Sequence, residues 1–307
     1  MTHNWRLSHK RNVLADRACI IGEIRRFFNE GGYLEVETPL RIPAPAPESH
    51  IDPLPSASWF LHPSPELCMK RLLAAGYGRI FQICHCWRAG ERGRLHLPEF
   101  TMLEWYRTDT GYYGLMDDCE ALIRSVGDVI GLKERLVSRG REISLQGPWE
   151  KITVSEAFNR YTPYTMAEAL QRDLFDEIMV RDIEPRLGIT GPVFIHDYPA
   201  ARGALARLKP DDPSVSERFE LYIDGVELAN AFTELTDAAE QRSRFLHEQE
   251  TRLSLGKTVY PMPEKFLEEL SHMPPAAGIA LGLDRLIMIL LRASSIDEVV
   301  AFTPEEL

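Results

Sequence analysis

Four charged residues, Arg88, Glu91, Arg92 and Arg94, crowd one short loop with His96 in the segment 81–106, FQICHCWRAGERGRLHLPEFTMLEWY. Runs of strand-forming residues flank that loop. After Pro98, Glu99, Thr101, Leu103 and Trp105 alternate with Phe100, Met102, Glu104 and Tyr106, the period of two that sends successive side chains to opposite faces of a strand. One face therefore carries a carboxylate in line with two aromatic rings, beneath a cationic loop. Those groups suit a ligand with a phosphate, a flat ring and an ammonium. An aminoacyl adenylate has all three. The bland alternative is a hairpin with a solvated charged loop.

Other residues point the same way. In GIALGLDR, 278–285, the small residues Gly278, Ala280 and Gly282 let a ligand approach the backbone. Arg285 opens an apolar helical run, where the helix field disfavours a cation unless an anion is close. A phosphate would satisfy it, as would a neighbouring Glu or Asp. Arg88, at the exit of the first strand, can grip an α-phosphate with its guanidinium fork, and Phe100 can cover an adenine. In GVELANAFTELTD, Glu227 and Glu234 offer carboxylates to Mg²⁺, with Asn230 as a neutral partner. Seven residues place the two on opposite faces of a straight strand, so this reading requires a bend after Asn230. Glu66, Glu104 and Glu234 are candidates for fixing the ammonium groups of a diamino acid. Neither G-x-x-x-x-G-K-[ST] nor G-x-G-x-x-G is present, so any ATP must be held by side chains and metal.

The positioning elements follow from pattern. Apolar residues recur at helical spacing over 13–30, and Gly31-Gly32 supplies a stop. An extended segment at 33–37 and a proline-stiffened loop through 41–55 come next. Ser64-Pro65-Glu66 opens a helix running towards Ala75, with Ser64 as cap and Pro65 in the first turn. A helix is expected over 116–136, another around 170–184, and a strand over 193–199. Residues 219–230 read as a hairpin turning at Asp224-Gly225, followed by a polar helix over 236–255 capped by Thr236 or Asp237. Antiparallel pairs among helices predict an α/β fold on a largely antiparallel sheet, as one catalytic domain over 1–307 with its least diagnostic part at 144–213.

Composition narrows the partners. The 307 residues carry 35 Lys plus Arg against 46 Asp plus Glu, a formal net charge of -11, which gives no global attraction for nucleic acid. No apolar run has the length of a signal peptide or a membrane span, so a cytoplasmic location is expected. The five cysteines form no disulfide framework. Adjacent residues of Cys84-His85-Cys86 point alternately to opposite faces, and no second ligand pair follows, which argues against zinc there.

With these residues together, the chain resembles the class II aminoacyl-tRNA synthetase core of the lysyl type. GYLEVETP at 32–39 resembles the family's first motif, 81–106 the second and GIALGLDR the third; Ser64-Pro65-Glu66 with 69–73 and Glu227-Leu228-Ala229-Asn230 look lysyl-specific. The resemblance implies an ATP-dependent reaction in which a substrate carboxylate attacks the α-phosphate. By analogy, Arg88 and Arg285 are catalytic. They bind ATP with Gly90, Glu91, His96, Leu97, Phe100, Glu227, Leu228 and Gly282. Glu227 and Glu234 would hold Mg²⁺, and Ser64, Pro65, Glu66, Glu104, Tyr106, Asn230, Glu234 and Ala280 the amino acid. It also implies a homodimer through 15–39. The first-motif helix begins almost at residue 1, so no anticodon-binding barrel is expected, and Ala280 replaces a glycine of the lysyl motif. Both departures resemble the free-standing paralogues that attach (R)-β-lysine to elongation factor P, with tRNA an unlikely partner. The alternatives are a truncated lysyl-tRNA synthetase using α-lysine and tRNA, and an inactive synthetase-like binding module. Leu97 in place of the family's asparagine and Ala89-Gly90 in place of Asn-Glu would remove an adenine contact that Glu91 or backbone groups must replace.

Overall fold

The computed structural model describes residues 5–132, 134–203 and 205–307. Its centre is a nine-stranded sheet. The main path runs Leu34–Glu35, Arg79–Trp87, Glu99–Thr108, Ala276–Gly282, Val226–Thr233, Asp212–Ile223, Val193–Pro199 and Glu150–Thr153, with Leu208–Lys209 pairing off that path with Asp212–Ile223. The first and last pairs of this path are parallel and the pairs between them antiparallel. The fold is thus α/β on a largely antiparallel sheet.

Each strand pair has a local cause. Asp224 and Gly225 both take left-handed backbone, at φ 52° and 69°, the geometry of a tight hairpin whose twist matches its strands. In Glu99–Thr108, Leu103 and Trp105 enter the main apolar core, while Phe100, Met102, Glu104 and Tyr106 take the other face, where the site lies. Helices Arg11–Glu30 and Tyr112–Val129 pack on the core face, where Ile20, Ile24, Phe28, Leu115 and Leu122 are wholly buried. Arg17 ties helix Arg11–Glu30 to helix Leu283–Leu290 by an ion pair with Asp284 at 2.6 Å and to the site strand by a hydrogen bond to Thr101 Oγ1 at 2.9 Å. The segment 144–213 builds a satellite cluster around Phe158 and Phe175, which Tyr222 of strand Asp212–Ile223 joins. Among the described residues no helix is long and apolar enough to cross a membrane.

Some boundaries differ from the sequence reading. The helix expected over 116–136 begins at Tyr112 and ends at Val129, because Gly131 turns the chain at φ 73° and Leu136 enters a short two-stranded sheet. The helix expected near 170–184 breaks at Asp173, φ 55°, into Met166–Gln171, Phe175–Ile178 and a π turn over Met179–Ile183. The proline-rich segment is not wholly loop, since Arg41–Ile42 and Pro55–Ser56 pair with Trp59–Leu61. Pro65 takes the cap position of Glu66–Ala74, and Ser64 Oγ accepts from Glu66 N at 3.0 Å.

Candidate active site

Two arginines approach one cavity from different elements. Strand Arg79–Trp87 ends at Arg88, whose backbone N donates to Pro98 O at 3.0 Å and so closes the mouth of the arginine loop. The loop turns at Gly90, φ 78°, a conformation that favours glycine, and the Gly93–His96 bridge tightens its far end. The Arg88 guanidinium lies 5.1 Å from the Phe100 ring centroid, yet its Nε is buried with no hydrogen-bond partner, and Glu91 is only as near as 4.0 Å. A buried charged donor left unpaired is costly unless a ligand accepts from it. This marks a candidate anion site.

Arg285 arrives from the first turn of helix Leu283–Leu290. It donates through Nε to Leu95 O at 3.2 Å and through Nη1 to Glu227 O at 2.9 Å, with Glu227 Oε2 at 3.4 Å. His96 Nε2 stands 2.5 Å from Arg285 Nη2; burial and then the Arg285 charge lower the imidazole pKa, so a neutral His96 accepts from the guanidinium. The fork is therefore pre-positioned by backbone and imidazole, with a carboxylate loosely matched to it. The cavity of about 170 Å³ between the two arginines is bounded by Phe100, Asn230, Ala280 and Gly282. Glu91, His96, Leu97, Glu227 and Leu228 also border it. Leu97 belongs to the core as well, at 4% exposure, which gives this leucine a packing role at its place in the loop.

The amino-acid side is a second cluster, set by strand register. Gln82, Glu104, Ala280, Asn230 and Glu220 are successive cross-strand partners along one row of the sheet. Ala280 lines the cavity between Glu104 and Asn230, and Asn230 Oδ1 accepts from Arg218 Nε at 3.1 Å. Ser64 Oγ donates to Glu104 Oε1 and Tyr106 OH to Glu104 Oε2, both at 2.7 Å. Burial, then the nearby Glu66 charge, pushes the Glu104 carboxyl up to about 8. Lys70 Nζ lies 2.5 Å from both Glu66 Oε1 and Glu234 Oε2. Burial opposes the Lys70 charge, but Glu234 and Glu66 outweigh it and raise its pKa, while burial pushes Glu234 up to about 8. The protein thus already stabilises one ammonium among these carboxylates.

Two expectations change here. Glu227 and Glu234 do not share a metal site: Glu234 is fully buried against Lys70, whereas Glu227 lies beside Arg285 on the cavity. Instead, register places Glu220 near Glu227, and burial, then the Glu227 charge, raises the Glu220 pKa. The expected room at Gly278 is also taken by the protein, because a Cβ there would stand 2.1 Å from the Tyr106 ring and 2.4 Å from Glu234 Oε1. Gly282 faces the cavity as expected. Gly90 shapes the turn without lining the cavity, and Pro65 acts through the helix it caps.

Lys70, Arg218, Glu220 and Glu48 escaped the sequence reading as site residues. Glu48, on the proline-rich segment, has its carboxyl raised to about 7 by burial and then by the Glu66 charge. The four-residue spacing of Glu66 and Lys70 on a helix was the available signal for Lys70. The others depend on pairings between distant segments.

The match to tRNA synthetases class II (D, K and N) spans residues 2–306. The chain belongs to that family. Relatives bearing the name elongation factor P--(R)-beta-lysine ligase include those of Erwinia tasmaniensis, 38% identical with 98% of each chain covered, and Salmonella gallinarum, also 38% identical with 98% of each covered. That of Proteus mirabilis is 39% identical with 97% of each chain covered. Membership in this family of synthetases makes the chain an ATP-dependent amino-acid ligase.

Proposed function

We propose that this chain activates (R)-β-lysine as its adenylate and transfers it to a lysine side chain of elongation factor P. The observation that carries the activation step is the Arg88 side chain, its Nε buried without a partner, on one side of a cavity that Arg285 enters from the other. Phosphate oxygens of ATP would take up those donors, with the adenine against Phe100. Glu104 and Glu66 would hold the substrate ammonium groups on the far side of Ala280, while Glu234 is taken up by Lys70. In the first step an oxygen of the substrate carboxylate bonds to the α-phosphorus and pyrophosphate leaves. In the second the acceptor amine bonds to the acyl carbon, giving an amide and releasing AMP and a proton. Positioning and charge stabilisation by the two arginines supply the acceleration, with no covalent protein intermediate.

Mg²⁺ suits the phosphate end, where the Glu227 carboxylate borders the cavity. Glu227 would hold the ion, which would neutralise phosphate charge, while Glu220 is engaged by Arg218, Tyr198 and Tyr222. A homodimer through 15–39 in the cytoplasm completes this reading; Leu34, at 51% exposure, offers that contact apolar surface. The resemblance and the names of the relatives, matched over nearly their whole length, favour elongation factor P over tRNA as acceptor.

The activation step is tested by (R)-β-lysine-dependent exchange of pyrophosphate into ATP. Arg88→Ala should lower it by about two orders of magnitude or more, the scale for a lost transition-state electrostatic contact. Full exchange in the variant would remove Arg88 from this role, and an inert wild type would favour an inactive binding module.

A further inference from the structure

Cys84 and Cys86 stand two residues apart on strand Arg79–Trp87, so both thiols leave the same face. His85 points away and pairs with Glu99 at 2.9 Å. The residue facing the thiols is His62, which follows strand Trp59–Leu61. Its backbone is held on both sides, its N donating to Leu40 O at 2.9 Å and its O accepting from Trp87 N at 3.1 Å. His62 is 1% exposed, Cys84 8% and Cys86 0%. Neither nitrogen of the His62 ring has a hydrogen-bond partner. A buried imidazole in that state carries a desolvation cost that a bound cation would relieve.

The geometry fits a metal better than a disulfide. One donor atom from each of the three residues lies within 4.8 Å of the others, and the two Sγ atoms are 4.0 Å apart. Two sulfurs at about 2.3 Å from a tetrahedral zinc would be about 3.8 Å apart, whereas a disulfide needs about 2.0 Å. Other groups border the site. Met102, the cross-strand partner of Cys84, shares its buried cluster, and Gln82 Oε1, two residues before Cys84, is buried without a partner. Two thiolates, an imidazole and a nearby thioether are soft donors that select thiophilic d¹⁰ ions.

We propose that His62, Cys84 and Cys86 bind one thiophilic d¹⁰ cation, Zn²⁺ or Cu⁺, with Met102 or Gln82 available as a further ligand. Binding of Zn²⁺ displaces both thiol protons, forms two metal–sulfur bonds and one metal–nitrogen bond, and leaves a site of zero net charge. Phe100 and Ala280 pack on this cluster and line the catalytic cavity, so the ion braces the cavity floor. The inference is independent of which amino acid or acceptor the enzyme uses.

The test is a titration of metal-free, reduced, full-length protein with Zn²⁺, Co²⁺ and, without oxygen, Cu⁺. The expected results are one bound ion per chain after gel filtration, a thiolate-to-cobalt charge-transfer band and a higher melting temperature with the bound ion. Cys84→Ser and Cys86→Ser should each lose the band and the thermal shift. Stoichiometric Zn²⁺ assigns the site to zinc, and retention of Cu⁺ alone assigns it to copper; either supports the site. Substoichiometric retention of both ions, or a charge-transfer band unchanged in both serine variants, would overturn it. X-ray absorption on metal-loaded wild type decides the matter even if the variants misfold: two sulfur ligands and at least one nitrogen are expected, and a shell without sulfur refutes the proposal.

Discussion

Replacing Glu104 with glutamine separates its charge from its shape. Ser64 and Tyr106 donate to its two oxygens at 2.7 Å, and both are hydroxyls that can reverse direction to accept from an amide. The variant should therefore fold. In the ligand-free protein the carboxyl is held up at about 8 by burial and then by Glu66, so binding an ammonium at pH 7 first costs proton release, about 1.4 kcal/mol. Losing a buried, hydrogen-bonded charge partner costs about 2 to 5 kcal/mol. The difference, about 0.6 to 3.6 kcal/mol, predicts that Glu104→Gln lowers kcat/KM for the amino acid in pyrophosphate exchange by roughly half to two and a half orders of magnitude. Wild-type activity should climb from pH 6 towards pH 8 as Glu104 ionises, and the variant should lose that limb. Stability moves the opposite way. Because the folded pKa is raised from 4.5, the contribution of Glu104 is fully present below about 4.5 and is lost as pH rises through about 8, at up to about 1.4 kcal/mol per pH unit. Thermal melting should thus show the ligand-free variant gaining on wild type across that window. Exchange within about threefold of wild type and an unchanged pH slope would refute the assignment of Glu104 to the ammonium.

Ala280 sits between Glu104 and Asn230 on the cavity wall, so Ala280→Gly should shift preference from (R)-β-lysine towards α-lysine. A methyl-sized change commands about 1 to 3 kcal/mol, and competition between the isomers in the exchange assay reads it; an unchanged ratio would dissociate Ala280 from selection. Light scattering at micromolar concentration should give a particle of twice the 35.0 kDa chain mass, and a monomer would contradict the contact through 15–39.

The parts legible in the sequence were those with local causes. Period-two alternation gave the faces of Glu99–Thr108, and Asp224-Gly225 marked its hairpin because both residues accept left-handed backbone. Arg88, Phe100, Ala280 and Arg285, drawn from separate motifs, line one cavity. What was hidden depended on register between distant strands and on partners. Glu220 meets the site only through its pairing opposite Asn230, and Lys70 becomes a buried cation only because Glu234 comes to 2.5 Å from it. Glu234 was misassigned to metal for the same reason. The Cys84-His85-Cys86 alternation was read correctly, but the third donor, His62, lies on another segment.

Intact-mass measurement identifies the acceptor directly. The enzyme is incubated with ATP, Mg²⁺ and (R)-β-lysine together with purified elongation factor P or, separately, tRNA. One lysyl-sized mass gain on elongation factor P, mapped to a single lysine and absent from tRNA, is the predicted result. A gain on tRNA with none on the protein would contradict the account.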